Sequence, residues 1–255
     1  MRARIARRRG GNLNLGTMLH TEALNLAFPQ AVSSEQYLAR VAKLVSPLGF
    51  AREHSFAAVS VCRDELTQSF LDLVARRWDQ PFSLGGLGAL PSLGRTGWRA
   101  ALSHVPQDPD RGHLIVFGMP HIGIDPEGNI GQSLRRHQNE VTPTCGAMAA
   151  LLSSLRNGFE PLTPGLDDHE AERLRRIVDS QSDQLPDNLL ELTKLAAAAV
   201  NDEMWVELDA LGAYKEMDIA VFCGIQIHLP DEVDFIYPVA SAFMGSDGIT
   251  KALVV

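Results

Sequence analysis

Short apolar segments alternate with segments of helical periodicity along this chain of 255 residues. The segment SFAAVSV is typical of a buried β-strand, and the following DELTQSFLDLVARRW repeats its apolar residues at helical spacing. A second apolar segment, HLIVFGMP, ends at a proline and leads into a turn-rich stretch. Because strands that alternate with helices build parallel sheets, we predict an α/β fold: a single domain with a largely parallel central sheet flanked by helices.

The rest of the chain continues this pattern. A helix is expected after a cap at Ser33 or Ser34, and a long helix from about Pro186 to Leu211. The segments MDIAVFCGIQIHLP and DFIYPVASAFMG, which follow the long helix, are typical of strands. These elements extend the predicted sheet toward the carboxyl terminus.

The first nine residues, MRARIARRR, contain five arginines and no acidic residue. We expect residues 1–17 to form a basic, disordered arm and residues 18–255 to form the domain. A solvated tail is the simplest interpretation of the arm, whereas organelle targeting and tethering to an anionic surface stay open.

Charge and hydropathy exclude several classes of function. The net charge is −8 although the first nine residues are basic, so the predicted domain is strongly acidic. Binding to nucleic acid needs a basic face, and we therefore expect no nucleic-acid partner. No run of 18 apolar residues occurs, which predicts the absence of a membrane span.

The chain has three cysteines, Cys62, Cys145 and Cys223. An odd number of widely separated cysteines is not typical of a secreted disulfide framework, so we expect the cytoplasm or another reducing compartment. In such a compartment a cysteine is an inert core residue, a metal ligand or a nucleophile. Cys223 lies within a predicted core strand, where packing is the expected role.

Three ligand-type residues occur at the ends of predicted elements. Cys62 follows a strand, His121 follows the next strong strand, and Cys145 lies in the first turn of a helix. Sites of α/β proteins gather at the carboxyl ends of strands. Two thiolates and one imidazole suit Zn²⁺ and leave a fourth tetrahedral position for water, although the spacing matches no zinc finger. From the residues alone, three buried structural side chains remain an alternative.

Several segments occur in an order that resembles a known family: VSVCRDELTQSF, RRWDQPFSLGGLG, VFGMPHIGIDPEGNIG, TPTCGAMAALLSSL and GIQIHLP. The family is that of the limiting-CO2-inducible proteins B and C, a divergent group of β-type carbonic anhydrases, and the resemblance spans residues 22 to about 250. It implies a β-carbonic-anhydrase-like homodimer with one Zn²⁺ per chain, held by Cys62, His121 and Cys145. The implied substrates are CO2 and bicarbonate.

Zinc chemistry then suggests a mechanism. Zinc lowers the pKa of a bound water to about 7, so that hydroxide can attack CO2 and give bicarbonate. Asp64, two residues beyond Cys62, is expected to accept the hydrogen bond of that water. Familiar β-type enzymes have an arginine two residues after this aspartate, where the chain has Leu66. We therefore predict Arg63 as the partner of Asp64, with Arg95 as the reserve.

Other polar residues carry weaker signals. His104 and His137 are candidate proton shuttles or pocket residues, although lone histidines are more often structural. The glycine-rich run at residues 85–97 lacks the Lys-Ser/Thr of a phosphate loop, which argues against nucleotide binding.

Three functions compete. The first is a zinc carbonic anhydrase, and the second is a catalytically weak or inactive zinc-stabilised scaffold that responds to CO2. The third, a hydrolase that uses Cys62 and His121, would leave Cys145 without a role and lacks a specific orienting motif. The sequence alone does not separate the enzyme from the scaffold.

Overall fold

The computed structural model describes residues 15–106, 111–158, 168–181, 186–230 and 233–255. Its helices are α1 Leu15–Ala27, α2 Ser34–Val45, α3 Gln68–Trp78, α4 Gly94–Leu102, α5 Gly146–Asn157, α6 His169–Gln181 and α7 Leu189–Ala210. Its strands are β1 Val32–Ser33, β2 Ser55–Val61, β3 Phe82–Ser83, β4 Gly112–Met119, β5 His121–Gly123, β6 Gln132–Leu134, β7 Val141–Pro143, β8 Met217–His228, β9 Asp234–Met244 and β10 Thr250–Ala252.

The central sheet has the strand order β1-β9-β8-β4-β2-β3, and β10 pairs with β9. Strands β3, β2, β4 and β8 are parallel, and β5 pairs in parallel with the end of β8. Strand β9 runs antiparallel to β8, because a short connection can join neighbouring strands only as a hairpin. The predicted α/β fold with a largely parallel sheet is confirmed, with an antiparallel edge added.

Both faces of the parallel strands are buried, which explains their continuous apolar sequences. Leu114 and Val116 of β4 belong to the core that α4, α5, α6 and α7 cover. Ile115 and Phe117 alternate with them and belong to the opposite core, which α2 and α3 cover. The sheet is therefore the middle layer of three.

Helix starts follow the capping signals. The Ser33 hydroxyl accepts a hydrogen bond from the Gln36 N–H at 3.3 Å, as expected for the cap of α2. Asp64 caps a 3₁₀ turn, in which its Oδ1 accepts a hydrogen bond from the Leu66 N–H at 3.1 Å. Helix α3 then begins at Gln68, four residues later than the sequence pattern predicts.

Two features near residues 121–143 were not predicted. His121 begins the short strand β5 instead of a turn, and β6 and β7 form a two-stranded antiparallel hairpin. All three strands have only three residues, too few for a sequence periodicity to show. Residues in and next to β5, β6 and β7 contribute to the candidate metal centre that is described in the next section.

The glycine-rich run contributes close packing. A Cβ at Gly85 would lie 2.0 Å from the carbonyl oxygen of Val61, the last residue of β2. Glycine is therefore required where this loop crosses the end of β2. The role agrees with the prediction that the run is not a phosphate loop.

The first 14 residues of the predicted basic arm lie outside the described residues, and α1 begins at Leu15, within the range assigned to the arm. Across the described ranges, none of the helices has the length and apolar character needed to cross a lipid bilayer.

Candidate metal centre

The structure brings Cys62, His121 and Cys145 together. The two Sγ atoms are 3.5 Å apart, and the candidate ligand atoms of the three residues all lie within 4.8 Å of one another. None of the three is more than 5% exposed. We call these three residues the Cys-His-Cys cluster.

Sheet register explains why the cluster forms. Val61 and Met119 are paired at the ends of the parallel strands β2 and β4, so the residues that follow them leave the sheet side by side. Cys62 is one of these residues, and His121 follows after Pro120. The carboxyl edge of the sheet therefore holds two of the three cluster residues, as predicted.

Cys145 reaches the same place through the β6–β7 hairpin. The N–H of Thr144 donates to the Gly131 carbonyl at 2.9 Å, and the Gly123 N–H donates to the Thr144 carbonyl at 3.4 Å. These bonds fix the chain beside β5. Cys145 is the N-cap residue of α5, one residue before the expected first turn, and the nearby N–H groups of Ala147 and Met148 act to lower the pKa of its thiol.

The pKa values of the two thiols in the cluster are shifted in opposite directions. The thiol of Cys145 lowers the pKa of Cys62, and the contact with His121 lowers it further, against the opposing effect of burial. The neighbouring Cys62 sulfur and burial raise the pKa of Cys145. The lowered pKa favours the thiolate form of Cys62, which is the form in which a cysteine binds a metal.

The donor set fits zinc. Nε2 of His121 is buried and has no hydrogen-bond partner among the residues that the structure describes, whereas its Nδ1 lies 3.0 Å from Nε2 of His228. Two sulfurs that are each about 2.3 Å from a tetrahedral zinc lie about 3.8 Å apart. The Sγ–Sγ distance of 3.5 Å is close to that value, so little movement would be needed to bind the ion.

Asp64 faces the cluster and is held by an arginine that the sequence did not indicate. Its Oδ2 lies 3.9 Å from Nε2 of His121. Arg135 donates from Nη1 to Oδ1 at 2.9 Å and from Nη2 to Oδ2 at 2.7 Å. Burial would raise the pKa of Asp64, but the hydrogen bonds from Arg135, the neighbouring His121 ring and the Leu66 N–H outweigh it and lower the pKa to about 2. Asp64 is therefore ionised at neutral pH.

The prediction that Arg63 pairs with Asp64 is wrong. The Arg63 guanidinium instead donates to the Glu170 carboxylate on α6, and its side chain is 60% exposed. The reserve, Arg95, is exposed near the start of α4. Arg135 follows β6 directly, and the missed hairpin is the reason that the sequence pattern did not place it.

The two candidate shuttle histidines lie in different regions. His104 packs on the rings of Phe56 and Phe82, near the amino end of β2 and hence away from Cys62. His137 is exposed in the β6–β7 turn, two residues beyond Arg135, with a φ of 71°. Their roles as shuttles remain predictions.

Cys223 lies on β8 in the α7-side core. It is fully buried, and burial is the main cause that raises the pKa of its thiol. This environment agrees with a packing role for Cys223.

A second layer of polar residues lies behind His121, and sequence reasoning assigned it no role. Nδ1 of His228 is 2.8 Å from Oδ1 of Asp234. The Gln226 amide donates to Oδ2 of Asp234 at 3.3 Å, and the Ser69 hydroxyl donates to the same oxygen. The only sequence signal was the segment GIQIHLP, which contains both Gln226 and His228.

Comparison with known proteins identifies relatives. A family model described as limiting CO2-inducible proteins B/C beta carbonic anhydrases matches residues 31–244. No curated protein sequence matches the chain.

Solved structures with the same fold include PtLCIB4, described as a homolog of the limiting CO2-inducible protein LCIB. It has a TM-score of 0.78 and 24% identity, with 92% of this chain and 100% of that chain covered. The limiting CO2-inducible protein LCIB itself has a TM-score of 0.73 and 24% identity, with 92% and 98% covered. At this identity the likeness shows the fold alone.

Proposed function

From the premise that this chain belongs to the limiting CO2-inducible protein B/C family of beta carbonic anhydrases, we propose that it is a zinc-dependent carbonic anhydrase. The proposed reaction is the interconversion of CO2 and bicarbonate, with one Zn²⁺ per chain. Cys62, His121 and Cys145 are the proposed ligands.

One observation carries the proposal: an ionised carboxylate beside a buried Cys-His-Cys cluster. Asp64 has its Oδ2 3.9 Å from the unpartnered Nε2 of His121. A purely structural metal site has four protein ligands, whereas a catalytic zinc site has three and an open position. Arg135 occupies both Asp64 oxygens with hydrogen bonds, which disfavours Asp64 as the fourth ligand.

The proposed roles follow from the chemistry of each group. Cys62, His121 and Cys145 would hold the zinc ion, which would supply the Lewis-acid chemistry that lowers the pKa of water to about 7 and makes hydroxide available at neutral pH. Asp64 accepts a hydrogen bond from this nucleophile and orients it toward CO2, because its Oδ2 retains acceptor capacity beside His121. Arg135 keeps Asp64 ionised and in place.

Two other functions are separable from this one. A zinc-stabilised scaffold would bind the metal through the same three residues without turning over CO2. A hydrolase would use Cys62 with His121 and no metal, but the Cys145 sulfur, 3.5 Å from Cys62, would then have no role.

The test combines zinc content, measured by elemental analysis, with CO2 hydration, measured by stopped flow. Wild type is expected to contain about one zinc per chain and to catalyse CO2 hydration. Asp64→Asn keeps the shape of the side chain and should keep the zinc but lose most of the rate. Cys145→Ala should lose the metal.

The outcomes are distinct. Zinc-loaded wild type without turnover would support the scaffold. Wild type without zinc that reacts with a thiol reagent at Cys62 and hydrolyses esters would support the cysteine hydrolase.

We further propose a homodimer in a reducing compartment such as the cytoplasm. All three cysteines are free thiols, which supports the compartment. Light scattering at micromolar concentration tests the dimer, and a monomer mass would count against it.

A further inference from the structure

His121 contacts an ordered polar chain on the side of its ring that faces away from the cysteines. Its Nδ1 lies 3.0 Å from Nε2 of His228, and Nδ1 of His228 lies 2.8 Å from Oδ1 of Asp234. His121 is fully buried and His228 is 5% exposed. The arrangement extends from the cluster into the β8–β9 hairpin.

The register of the sheet creates this chain. His121 pairs with Gln226 across β5 and β8, and His228 pairs with Asp234 across β8 and β9. Strand β9, at the antiparallel edge of the sheet, therefore places the Asp234 carboxylate next to His228. His228 in turn lies next to His121.

The direction of the hydrogen bonds follows from Asp234. Its pKa is lowered, since bonds to His228, Ser69 and Gln226 outweigh the effect of burial, so the group is a carboxylate that only accepts. Oδ2 accepts from the Ser69 hydroxyl and the Gln226 amide, and Oδ1 is left to accept from Nδ1–H of His228.

That direction continues to His121. A neutral imidazole with its proton on Nδ1 has a lone pair on Nε2. Nε2 of His228 therefore accepts from Nδ1–H of His121, and the lone pair of His121 lies on Nε2, which faces the cluster. Zinc binds a histidine nitrogen only through such a lone pair.

We propose that His228 and Asp234 are positioning residues that hold His121 in the Nδ1–H form, with the Nε2 lone pair directed at the Cys-His-Cys cluster. The consequence for metal affinity rests on the proposed zinc function, whereas the position of the ring protons does not. Histidine ligands commonly donate to a carboxylate directly. In this chain a second histidine, His228, lies between His121 and the Asp234 carboxylate.

Asp234→Asn is the discriminating variant, because it reverses the direction of the bonds. Ser69 and Gln226 both donate to the Oδ2 side, so the asparagine carbonyl is expected to occupy that side and its NH2 to face His228. Nδ1 of His228 must then accept, and its proton moves to Nε2, where it opposes the Nδ1–H of a zinc-bound His121.

The matched control is Asp218→Asn. Asp218 is another partly buried aspartate of the same sheet; it lies on β8, at the opposite end of that strand from His228, and accepts from Nε of Arg111 at 2.6 Å. The same change of charge is made on β8, the strand that pairs with the β9 strand of Asp234, but far from His228. Any effect of a lost carboxylate on the sheet as a whole should appear in both variants.

The first readout is the protonation of the His228 ring, from ¹⁵N shifts of histidine-labelled protein. Wild type should show a protonated Nδ1 and an unprotonated Nε2, and Asp234→Asn should show the reverse. A protonated Nε2 of His228 in wild type would overturn the inference, whether or not the protein binds zinc.

The second readout is zinc affinity by competition with a chelator, with folding checked by circular dichroism. Asp234→Asn should weaken binding by roughly 10- to 100-fold, the usual effect of removing such a partner, and Asp218→Asn should not. His228→Phe keeps a ring without nitrogens and should weaken binding similarly. Folded Asp234→Asn and His228→Phe proteins with wild-type zinc affinity would refute the positioning role, whereas a wild type that binds no zinc would refute the proposed function.

Discussion

The Asp64 carboxylate accepts two parallel hydrogen bonds from the Arg135 guanidinium, although the two residues are 71 positions apart in the chain. Arg135, which directly follows β6, therefore holds the position beside Asp64 that the sequence predicted for Arg63. Arg63, the immediate neighbour of Asp64, has a different partner on α6.

The two arginines should therefore differ in their effect on activity. Arg135→Ala removes the group that keeps Asp64 ionised and oriented, and we expect CO2 hydration by the zinc-loaded protein to fall roughly 10- to 100-fold. Stopped-flow measurement of the initial rate checks this.

Arg63→Ala is the matched control, since it removes an equal charge next to the same aspartate. Exposed ion pairs contribute little, so the rate should change by no more than about twofold. Comparable losses in both variants would contradict the assignment of Arg135.

Metal binding should distinguish the cysteines. Cys145→Ala removes a ligand and should abolish stoichiometric zinc, whereas Cys223→Ala removes an equally buried thiol in the core and should retain about one zinc per chain. Elemental analysis of the purified proteins measures the difference. Zinc loss in Cys223→Ala alone would place the metal elsewhere.

Zinc should also stabilise the fold. At a free zinc concentration of about 100 times its Kd, binding adds about 2.7 kcal/mol to the free energy of unfolding. For a domain of this size, that raises Tm by roughly 5 to 10 °C in a thermal melt.

The control for this stabilisation is His121→Ala, whose Tm should not respond to zinc. A zinc-dependent rise in both proteins would mean that the ion binds outside the Cys-His-Cys cluster.

The ion pair between Glu170 and Arg63 should give the stability a local pH dependence. Arg63, together with the Leu87 N–H and Ser92, lowers the pKa of Glu170 against the effect of burial. The stabilisation is therefore complete above the unfolded pKa of about 4.3 and is lost as the pH falls through the lower folded value.

Urea unfolding of metal-free wild type and Glu170→Gln at pH 7 and pH 3 measures this effect. We expect wild type to be more stable by about 1 kcal/mol at pH 7, with the difference shrinking at pH 3. An equal difference at both pH values would show that the carboxylate charge of Glu170 contributes nothing.

The sequence was sufficient for the parts of the site that lie at the ends of regular elements. Cys62 and His121 follow apolar strands, and Cys145 precedes a helix, so hydrophobic periodicity alone predicts that parallel strands bring the first two together. Asp64 was identified differently: the family resemblance and the zinc chemistry it implies give a role to an aspartate two residues beyond Cys62.

The supporting residues could not be predicted because long-range register places them. Arg135 reaches Asp64 through a hairpin of three-residue strands, which carry too little periodicity to be recognised. Asp234 reaches His228 through the antiparallel pairing of β8 with β9, whereas the sequence pattern indicated parallel strands.

The most direct test of the central claim is the exchange of ¹⁸O between labelled CO2 and water at chemical equilibrium, followed by mass spectrometry with zinc-loaded protein. The account predicts depletion of the label well above the uncatalysed rate in wild type and near that rate in Asp64→Asn. Wild-type protein that carries one zinc per chain and exchanges the label at the uncatalysed rate would contradict it.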